Sequence, residues 1–294
     1  MRLLQASAGR LPHDGTFPSG KRLAIRPPVY CQQVPEAAVH SFAIERSTAK
    51  MRYLELEGSG IPLLILHGLG CASSFEYPHV VSAPALRGRH AILLDLLGFG
   101  FSDRPEDFGY RVEDHARQVH GLIRERNFQQ IDIYGHSMGG SIAIEAADLL
   151  GDKVQNLVVS EANLDRGGGM FSRAIAAWKE VDYMRTGHSA MLIQAQASGN
   201  GAWAAMMRAA SARAVHRGAA SLVEGGSRDW RSQFLQHPSQ KTFIFGKRSL
   251  PDPDFEFLSS RGIRVDIVDD AGHSMAIENP GGLAAAIAQA TMTA

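Results

Sequence analysis

One short segment of the chain has the residue types and the spacing that place a serine for nucleophilic attack. In "IYGHSMGG", residues 133–140, Gly135, Ser137 and Gly139 form the pattern G-x-S-x-G between an apolar, strand-like run and an Ala-rich helical run. Glycines allow the backbone to turn sharply from strand to helix, which leaves the serine hydroxyl exposed at the tip of the strand. This context predicts that Ser137 is a nucleophile.

A histidine near the C-terminus is placed to act as the base that such a serine needs, because a hydroxyl is a poor nucleophile until its proton is removed. Of the twelve histidines, His273 lies in a Gly-flanked turn after the last predicted strand, from where it could reach back to Ser137. His115 and His120 are five apart on a predicted helix and do not share a face, so they make a poor metal site. We therefore predict His273 as the general base and expect neither a metal nor a cofactor.

A carboxylate ends one of the most apolar strands of the chain. The run "VVSEANLDRGGG", residues 158–169, changes from valines to Glu161. A charge at the end of a buried strand is costly unless something pairs with it. Either Glu161 has a chemical role, or it is a strand-end charge held by a salt bridge or a helix cap.

The composition excludes several classes of protein. The 294 residues, 45% of them hydrophobic, suffice for one α/β domain with or without an insertion. Thirty basic residues balance thirty acidic ones, so nothing indicates nucleic acid or an anionic membrane as partner. Cys31 and Cys71 cannot form a disulfide framework, and no apolar run reaches the roughly 18 residues of a transmembrane helix. The N-terminal apolar stretch is shorter than the ~7 to 15 residues of a signal-peptide core, so we expect a cytoplasmic protein.

From about residue 38, short apolar runs alternate with segments of helical spacing. Such alternation predicts an α/β fold with a mostly parallel sheet and helices on both faces. The predicted helices cover residues 110–126, 138–150 and 275–291. The predicted strands are "AVHSFAIE", "MRYLELEG", "IPLLILHG", "HAILLDLLG", "IDIYGHS", "VQNLVVSE", "KTFIFGK" and "IRVDIVDD".

The interval between the sixth and seventh predicted strands is too long for a loop. It is rich in Ala, Met and Arg, and "AIAAWKEV" and "GAWAAMMRAASARAV" have the pattern of helices. The predicted organisation is therefore an N-terminal extension over residues 1–37, a core domain in two parts over 38–164 and 237–294, and an inserted helical cap over 165–236.

The motifs, in their order along the chain, resemble those of the α/β-hydrolase superfamily. Besides G-x-S-x-G, "LHGLGCASS" (66–74) resembles the His-Gly oxyanion loop, and "DLLGFGFSDRP" (95–105) resembles the turn after the fourth strand. "DAGHSMAIENP" (270–280) resembles the segment that bears the catalytic histidine. The resemblance implies an eight-stranded, mostly parallel sheet with an antiparallel second strand, and a cap that roofs the active site.

The resemblance also implies an oxyanion hole. In the superfamily pattern its two donors are the backbone N–H groups of Leu69 and Met138. Gly68 and Gly70, on either side of Leu69, allow that loop the unusual dihedral angles it needs.

The usual position of the superfamily's acid holds a serine. The acid ordinarily follows the seventh strand as Gly-x-x-Asp, whereas "FIFGKRSLPDPDF" places Ser249 there and offers Asp252 or Asp254 a few residues later. Some α/β-hydrolases carry the acid after the sixth strand, and "SEANL" resembles their Glu-Gly-Asn segment, with Ala162 in place of the glycine. We favour Glu161, because this choice explains both the missing aspartate and the carboxylate at the end of a buried strand.

A serine, a histidine and a carboxylate together predict a serine hydrolase that cleaves a carboxylic ester or lactone through an acyl-enzyme. Carbon–carbon bond hydrolysis and perhydrolysis use the same triad, and a non-catalytic ligand receptor can share the fold. Dehalogenases and epoxide hydrolases would require an aspartate at Ser137. In the cap, Trp178, Trp203 and Met207 are predicted to line a pocket for a bulky apolar or macrocyclic substrate, unless they form only the cap's own core.

Overall fold

Eight strands form one sheet at the centre of the chain. The structure is a computed structural model that describes residues 38–45 and 47–292, so the predicted extension over residues 1–37 lies outside it. The strand order is β1-β2-β4-β3-β5-β6-β7-β8. Only β2 runs in the opposite direction to the other seven strands, which confirms the predicted sheet. The strands are β1 (Ala38–Ala43), β2 (Lys50–Leu56), β3 (Ser59–Leu66), β4 (Arg89–Asp95), β5 (Ile131–His136), β6 (Val154–Ser160), β7 (Gln240–Gly246) and β8 (Arg264–Val268).

Helices cover both faces of the sheet, which is why the central strands are continuous apolar runs. Val119 and Ile142 belong to the core on one face, and Val80 and Ile287 belong to the core on the other. The helices are α1 (Ser73–Glu76), α2 (Pro78–Val81), α3 (Val112–Glu125), α4 (Met138–Leu150), α5 (Met170–Ala176), α6 (Glu180–Asp182), α7 (His188–Ala197), α8 (Gly201–Ala209), α9 (Ala212–Glu224), α10 (Trp230–Gln236), α11 (Pro253–Ser260), α12 (Met275–Glu278) and α13 (Pro280–Ala290). Within the described ranges, no helix combines the length and the apolar character that crossing a membrane requires.

The chain between β6 and β7 folds as helices α5 to α10. Three predicted helices are each divided in two: "AIAAWKEV" between α5 and α6, "GAWAAMMRAASARAV" between α8 and α9, and the helix predicted over 275–291, after β8, between α12 and α13. The helix predicted in "GAWAAMMRAASARAV" breaks before α9, because the Ser211 hydroxyl accepts a hydrogen bond from the Ala214 N–H and caps a new helix. The helix predicted over 275–291 breaks in the same way, with the Asn279 side chain accepting from the Gly282 N–H, 2.8 Å away. Local capping chemistry thus overrides a periodic apolar pattern.

One buried histidine makes the stability of the fold sensitive to acid. His115 on α3 is 1% exposed, and neither ring nitrogen has a hydrogen-bond partner in the described chain. Its ring packs against Phe99, Phe108 and Tyr110. Burial lowers the pKa of His115 from 6.5 to about 3. The unfolded chain therefore binds this proton more readily, so the contribution of neutral His115 to stability is full above about pH 6.5 and declines as the pH falls towards 3.

We expect His115→Leu to make the protein less sensitive to acid. Leucine has a similar volume and cannot be protonated, so it removes the proton-linked loss that this residue causes, about 2 kcal/mol between pH 8 and pH 5. The measurement is urea unfolding of wild type and variant at both pH values, with His79→Gln as the control at an exposed position. Equal losses of unfolding free energy in wild type and His115→Leu would show that the buried imidazole is protonated in the folded state.

Candidate active site

Ser137 sits on a strained turn between β5 and α4. Its φ of 52° lies in the left-handed region, which residues other than glycine seldom adopt. A Cβ on Gly135 would lie 2.3 Å from the Gly139 oxygen, and a Cβ on Gly139 would lie 2.3 Å from the Leu66 oxygen. The Ser137 N–H donates to the Ser160 oxygen at 2.9 Å. Close backbone packing thus explains both glycines of G-x-S-x-G and places the serine at the tip of the strand.

Glu161 links the tips of β6 and β7 to the loop that carries His273. Its φ is 41°, and its N–H donates to the Ile244 oxygen at 3.1 Å. The carboxylate oxygen Oε1 accepts from the Gly246 N–H at 3.0 Å. The other oxygen, Oε2, lies 2.6 Å from His273 Nδ1. The carboxylate that ends the buried strand is therefore held from two sides and directed at an imidazole.

The surroundings of Glu161 keep it ionised. Burial raises its pKa, but hydrogen bonds from His273 and Ser249, the charge of His273 and the Gly246 N–H together lower the pKa to about 2. An ionised carboxylate accepts a hydrogen bond from Nδ1–H of the imidazole, which leaves Nε2 able to take up a proton. This is the tautomer that a histidine base requires.

The two alternative acids have other partners. The Asp252 carboxylate accepts from the Asp254 N–H at 2.8 Å and so caps helix α11. Asp254 forms an ion pair with Arg231 at 2.8 Å. In the part of the chain that the structure describes, neither aspartate hydrogen-bonds to His273. The geometry therefore favours Glu161 as the partner of the imidazole.

Ser137 and His273 line one cavity of about 670 Å³, together with Leu69 and Glu161. The His273 side chain is 53% exposed there. No hydrogen bond joins the Ser137 hydroxyl to the His273 ring among the described residues. Such bonds are often long in ligand-free enzymes and shorten when substrate binds, so a shared cavity is the relevant criterion.

Two backbone N–H groups at the nucleophile are available to a ligand. Those of Leu69 and Met138 have no acceptor in the described chain, and Leu69 lines the same cavity as Ser137. The Leu69 carbonyl is turned towards helix α8, where it accepts from Trp203 Nε1 at 2.9 Å. A loop held in this way can present its N–H to a developing oxyanion.

Two buried histidines stabilise the loops around the nucleophile. His67 Nε2 accepts from the Leu96 N–H at 3.1 Å, and its Nδ1–H donates to the Gly68 oxygen at 2.8 Å. Burial lowers the pKa of His67, which agrees with this neutral tautomer. His136 Nδ1 lies 2.9 Å from Ser160 Oγ, and burial together with the charge of His273 lowers its pKa to about 3. Both rings are therefore neutral structural groups.

Known proteins with different activities resemble this chain. The model of the alpha/beta hydrolase fold matches residues 61–192. Haloalkane dehalogenase 2 of Mycobacterium tuberculosis is 33% identical over 116 residues, which cover 39% of each chain. The 2-hydroxymuconate semialdehyde hydrolase of Pseudomonas putida is 36% identical over 103 residues, covering 35% of this chain and 37% of the relative. The matched segments thus span less than two fifths of these relatives' length.

A solved structure extends the likeness to most of the chain. The N-acyl homoserine lactonase AidH, complexed with N-hexanoyl homoserine, has a TM-score of 0.71 at 18% identity, covering 88% of this chain and 99% of AidH. The chain has the α/β-hydrolase fold. As an α/β-hydrolase fold protein it is expected to carry its reactive groups at the carboxyl ends of the strands, where Ser137, Glu161 and His273 lie.

Of the three residues predicted to bind substrate, all between β6 and β7, one lines the cavity. Trp203 lines it, whereas Trp178 and Met207 are not among its described lining residues. Trp178 is 40% exposed and packs on Gly187. Met207 is fully buried against Gly70, behind the oxyanion loop.

Sequence reasoning missed several residues of the cavity wall. Met170 and Phe171 follow a run of three glycines and are exposed, at 68% and 38%. The Phe171 ring lies 4.9 Å from that of Trp203. Ile277 follows the histidine turn, and Glu76 ends helix α1 behind the oxyanion loop. The apolar pair Met170 and Phe171 after the glycines could have indicated part of this wall, whereas nothing in the sequence indicated Glu76.

The Trp203 indole supports the oxyanion loop in addition to lining the pocket. We expect Trp203→Phe to lower kcat about fivefold to tenfold, with a smaller change in KM. Phenylalanine keeps an aromatic ring but loses the N–H that holds the Leu69 carbonyl, a bond worth about 1 kcal/mol. Steady-state ester hydrolysis checks this, with Trp178→Phe as the matched control. A kcat equal to wild type would mean that the loop keeps its shape without the indole.

No group of three or more His, Cys, Asp or Glu side chains suited to a metal ion occurs among the described residues. His115 is buried in an aromatic cluster and His120 lies on a different face of α3, so these two do not converge.

Proposed function

We propose that this α/β-hydrolase is a serine hydrolase that cleaves a carboxylic ester or lactone through an acyl-enzyme. The observation that carries the proposal is the 2.6 Å contact between Glu161 and His273, in the cavity that also contains the serine elbow. A carboxylate, an imidazole and a strained serine at adjacent strand ends match the roles of acid, base and nucleophile.

The proposed reaction has two steps. In the first, Ser137 Oγ attacks the substrate carbonyl carbon while its proton passes to His273 Nε2. The negative charge on the carbonyl oxygen is stabilised by the N–H groups of Leu69 and Met138. The His273 imidazolium, paired with Glu161, then protonates the departing alcohol oxygen. In the second step a water molecule attacks the acyl carbon while its proton passes to His273 Nε2, and His273 then returns that proton to Ser137 Oγ as the acyl–oxygen bond breaks and the carboxylic acid leaves.

The cavity supports a substrate with a large apolar part. Its volume of about 670 Å³ lies within the range of pockets that hold drug-sized ligands. Phe171, Trp203, Met206 and Leu222 line it, and methionine and aromatic side chains fit apolar groups of varied shape. AidH, whose solved complex contains N-hexanoyl homoserine, is a lactonase of the same fold, so lactones belong with open-chain esters as candidates.

A panel of p-nitrophenyl esters of increasing acyl length, together with small and macrocyclic lactones, tests the proposal. We expect kcat/KM to rise with chain length over the medium-chain esters, because a longer apolar chain buries more surface in the cavity. Activity confined to the shortest acyl chains would contradict a large apolar pocket. Ser137→Ala protein, assayed in parallel, separates enzymatic hydrolysis from spontaneous hydrolysis.

Carbon–carbon bond hydrolysis is the second candidate. It uses the same three side chains, and the 36% identity to 2-hydroxymuconate semialdehyde hydrolase of Pseudomonas putida favours it. Adding 2-hydroxymuconate semialdehyde to the panel distinguishes the two. Consumption of this compound with kcat/KM well above that for every ester would favour the carbon–carbon hydrolase.

A further inference from the structure

A carboxyl group that takes no part in the triad lies in the wall of the active-site cavity. Glu76, the last residue of α1, is 5% exposed and lines the cavity together with Leu69 and Cys71. Its Oε2 atom is buried and has no hydrogen-bond partner in the described chain. A buried carboxyl oxygen without a partner is costly, so a partner supplied by a ligand would recover this energy.

Among the described residues, the groups around Glu76 are neutral and include no cation. Cys71 precedes it on the oxyanion loop, Tyr77 follows it, and Tyr134 approaches it from β5. Burial raises the pKa of this thiol and of both phenols, so all three stay protonated. Burial also raises the pKa of Glu76 to about 7, although contact with Cys71 opposes the rise. Below neutral pH, Glu76 is therefore a neutral acid that can donate one hydrogen bond.

The position of Glu76 decides which part of a substrate it can meet. A departing alcohol must lie against His273, which protonates it. Glu76 belongs instead to the wall formed by the oxyanion loop and α1, so the acyl chain is the part that reaches it. Other polar side chains, such as Asn163 and Asn200, also line the cavity, but among its described lining residues Glu76 is the one with a buried side-chain oxygen that lacks a hydrogen-bond partner.

We propose that Glu76 is a specificity-determining residue that selects acyl chains carrying a hydrogen-bond acceptor, such as an oxo, hydroxyl or ether oxygen. This inference rests on the proposed ester or lactone hydrolysis. The protonated carboxyl donates to the oxygen of the chain. Ionised Glu76 has no proton to donate and repels that oxygen, so the preference declines as the pH rises through about 7.

The test compares p-nitrophenyl heptanoate with three esters of equal length in which oxygen replaces the CH₂ at position 3, 4 or 5. The measured quantity is the ratio of kcat/KM for each oxygen-containing ester to that for heptanoate, at pH 6 and at pH 8.5. Any pH dependence of the catalytic step that is common to both substrates of a pair cancels in this ratio. The wild-type ratio is then divided by the corresponding ratio for Glu76→Leu, which removes differences in the intrinsic reactivity of the esters. We expect wild type to prefer one of the three about tenfold at pH 6 and to lose that preference at pH 8.5.

Glu76→Gln is the matched variant, because it keeps the shape and an N–H donor but does not titrate. We expect it to show the preference equally at both pH values, whereas Glu76→Leu shows it at neither. Labelling of Ser137 by a fluorophosphonate checks that each variant is folded.

Two results would overturn the assignment. One is a kcat/KM ratio at pH 6 that is the same in wild type and in Glu76→Leu. Another is a preference in Glu76→Gln that changes with pH in the same way as the preference of wild type. If wild type hydrolyses no ester or lactone at all, the proposed function itself fails, which is a distinct outcome.

Discussion

Ser137→Ala should lower kcat by about 10⁶-fold for any ester that the wild-type protein hydrolyses, the scale measured when the nucleophile of a serine triad is removed in subtilisin. The loss is this large because the serine forms the covalent bond, and no described neighbour in the elbow offers another hydroxyl at that place. Initial rates under saturating substrate, with the uncatalysed rate subtracted, provide the measurement.

Ser141→Ala is the matched control for this substitution. Ser141 lies on the same helix, one turn beyond the elbow, and its hydroxyl donates to the Asn163 oxygen at 2.8 Å without lining the cavity. We expect a change in kcat of less than about tenfold, since one neutral hydrogen bond contributes about 1 kcal/mol. Comparable losses in both variants would mean that the elbow is sensitive to any change and that Ser137 has no special role.

Glu161→Gln should lower kcat by roughly 10⁴-fold, the effect of the equivalent change from carboxylate to amide in a chymotrypsin-type triad. The geometry gives a reason specific to this chain. The Gly246 N–H needs an acceptor, so the amide oxygen faces Gly246 and the NH₂ group faces His273 Nδ1. The imidazole proton must then move to Nε2, which can no longer take the proton of Ser137.

Three further variants locate the acid. Asp252→Asn and Asp254→Asn should each change kcat by less than about tenfold, the scale of ~1.4 kcal/mol in a barrier. Adding Ser249→Asp to Glu161→Gln should recover part of the rate, because Ser249 hydrogen-bonds to the Glu161 carboxylate and so lies near the imidazole. If Asp252→Asn were the severe substitution and Glu161→Gln the mild one, the acid would follow β7 and Glu161 would be a structural charge.

The sheet and the elbow could be predicted because their causes are local. Continuous apolar runs become strands buried on both faces, and the backbone clash that a Cβ would cause explains the glycines beside Ser137. The prediction for Glu161 rested on the cost of ending a buried strand with a charge, and the structure gives that charge an imidazole 2.6 Å away. The antiparallel direction of β2 has no such local cause and came from resemblance.

The helices between β6 and β7 and the cavity wall were harder to predict, because burial depends on which helices meet. Trp178 and Trp203 look alike as apolar residues on helices, but Trp203 faces the oxyanion loop while Trp178 is 40% exposed. Ser211 and Asn279 divide two helices through side-chain caps that an apolar pattern does not reveal. Glu76 would be read as a surface charge, and only the packing of α1 under the oxyanion loop buries it.

Rapid-quench mass spectrometry during turnover of a medium-chain p-nitrophenyl ester tests the central claim most directly. A serine hydrolase of this kind accumulates or passes through an ester between the acyl group and the nucleophile, with p-nitrophenol released first. We expect the acyl mass on the peptide containing Ser137, in amounts matching the early p-nitrophenol release, and none on the Ser137→Ala protein. Acyl mass on another residue, or continued turnover by Ser137→Ala without any adduct, would contradict it.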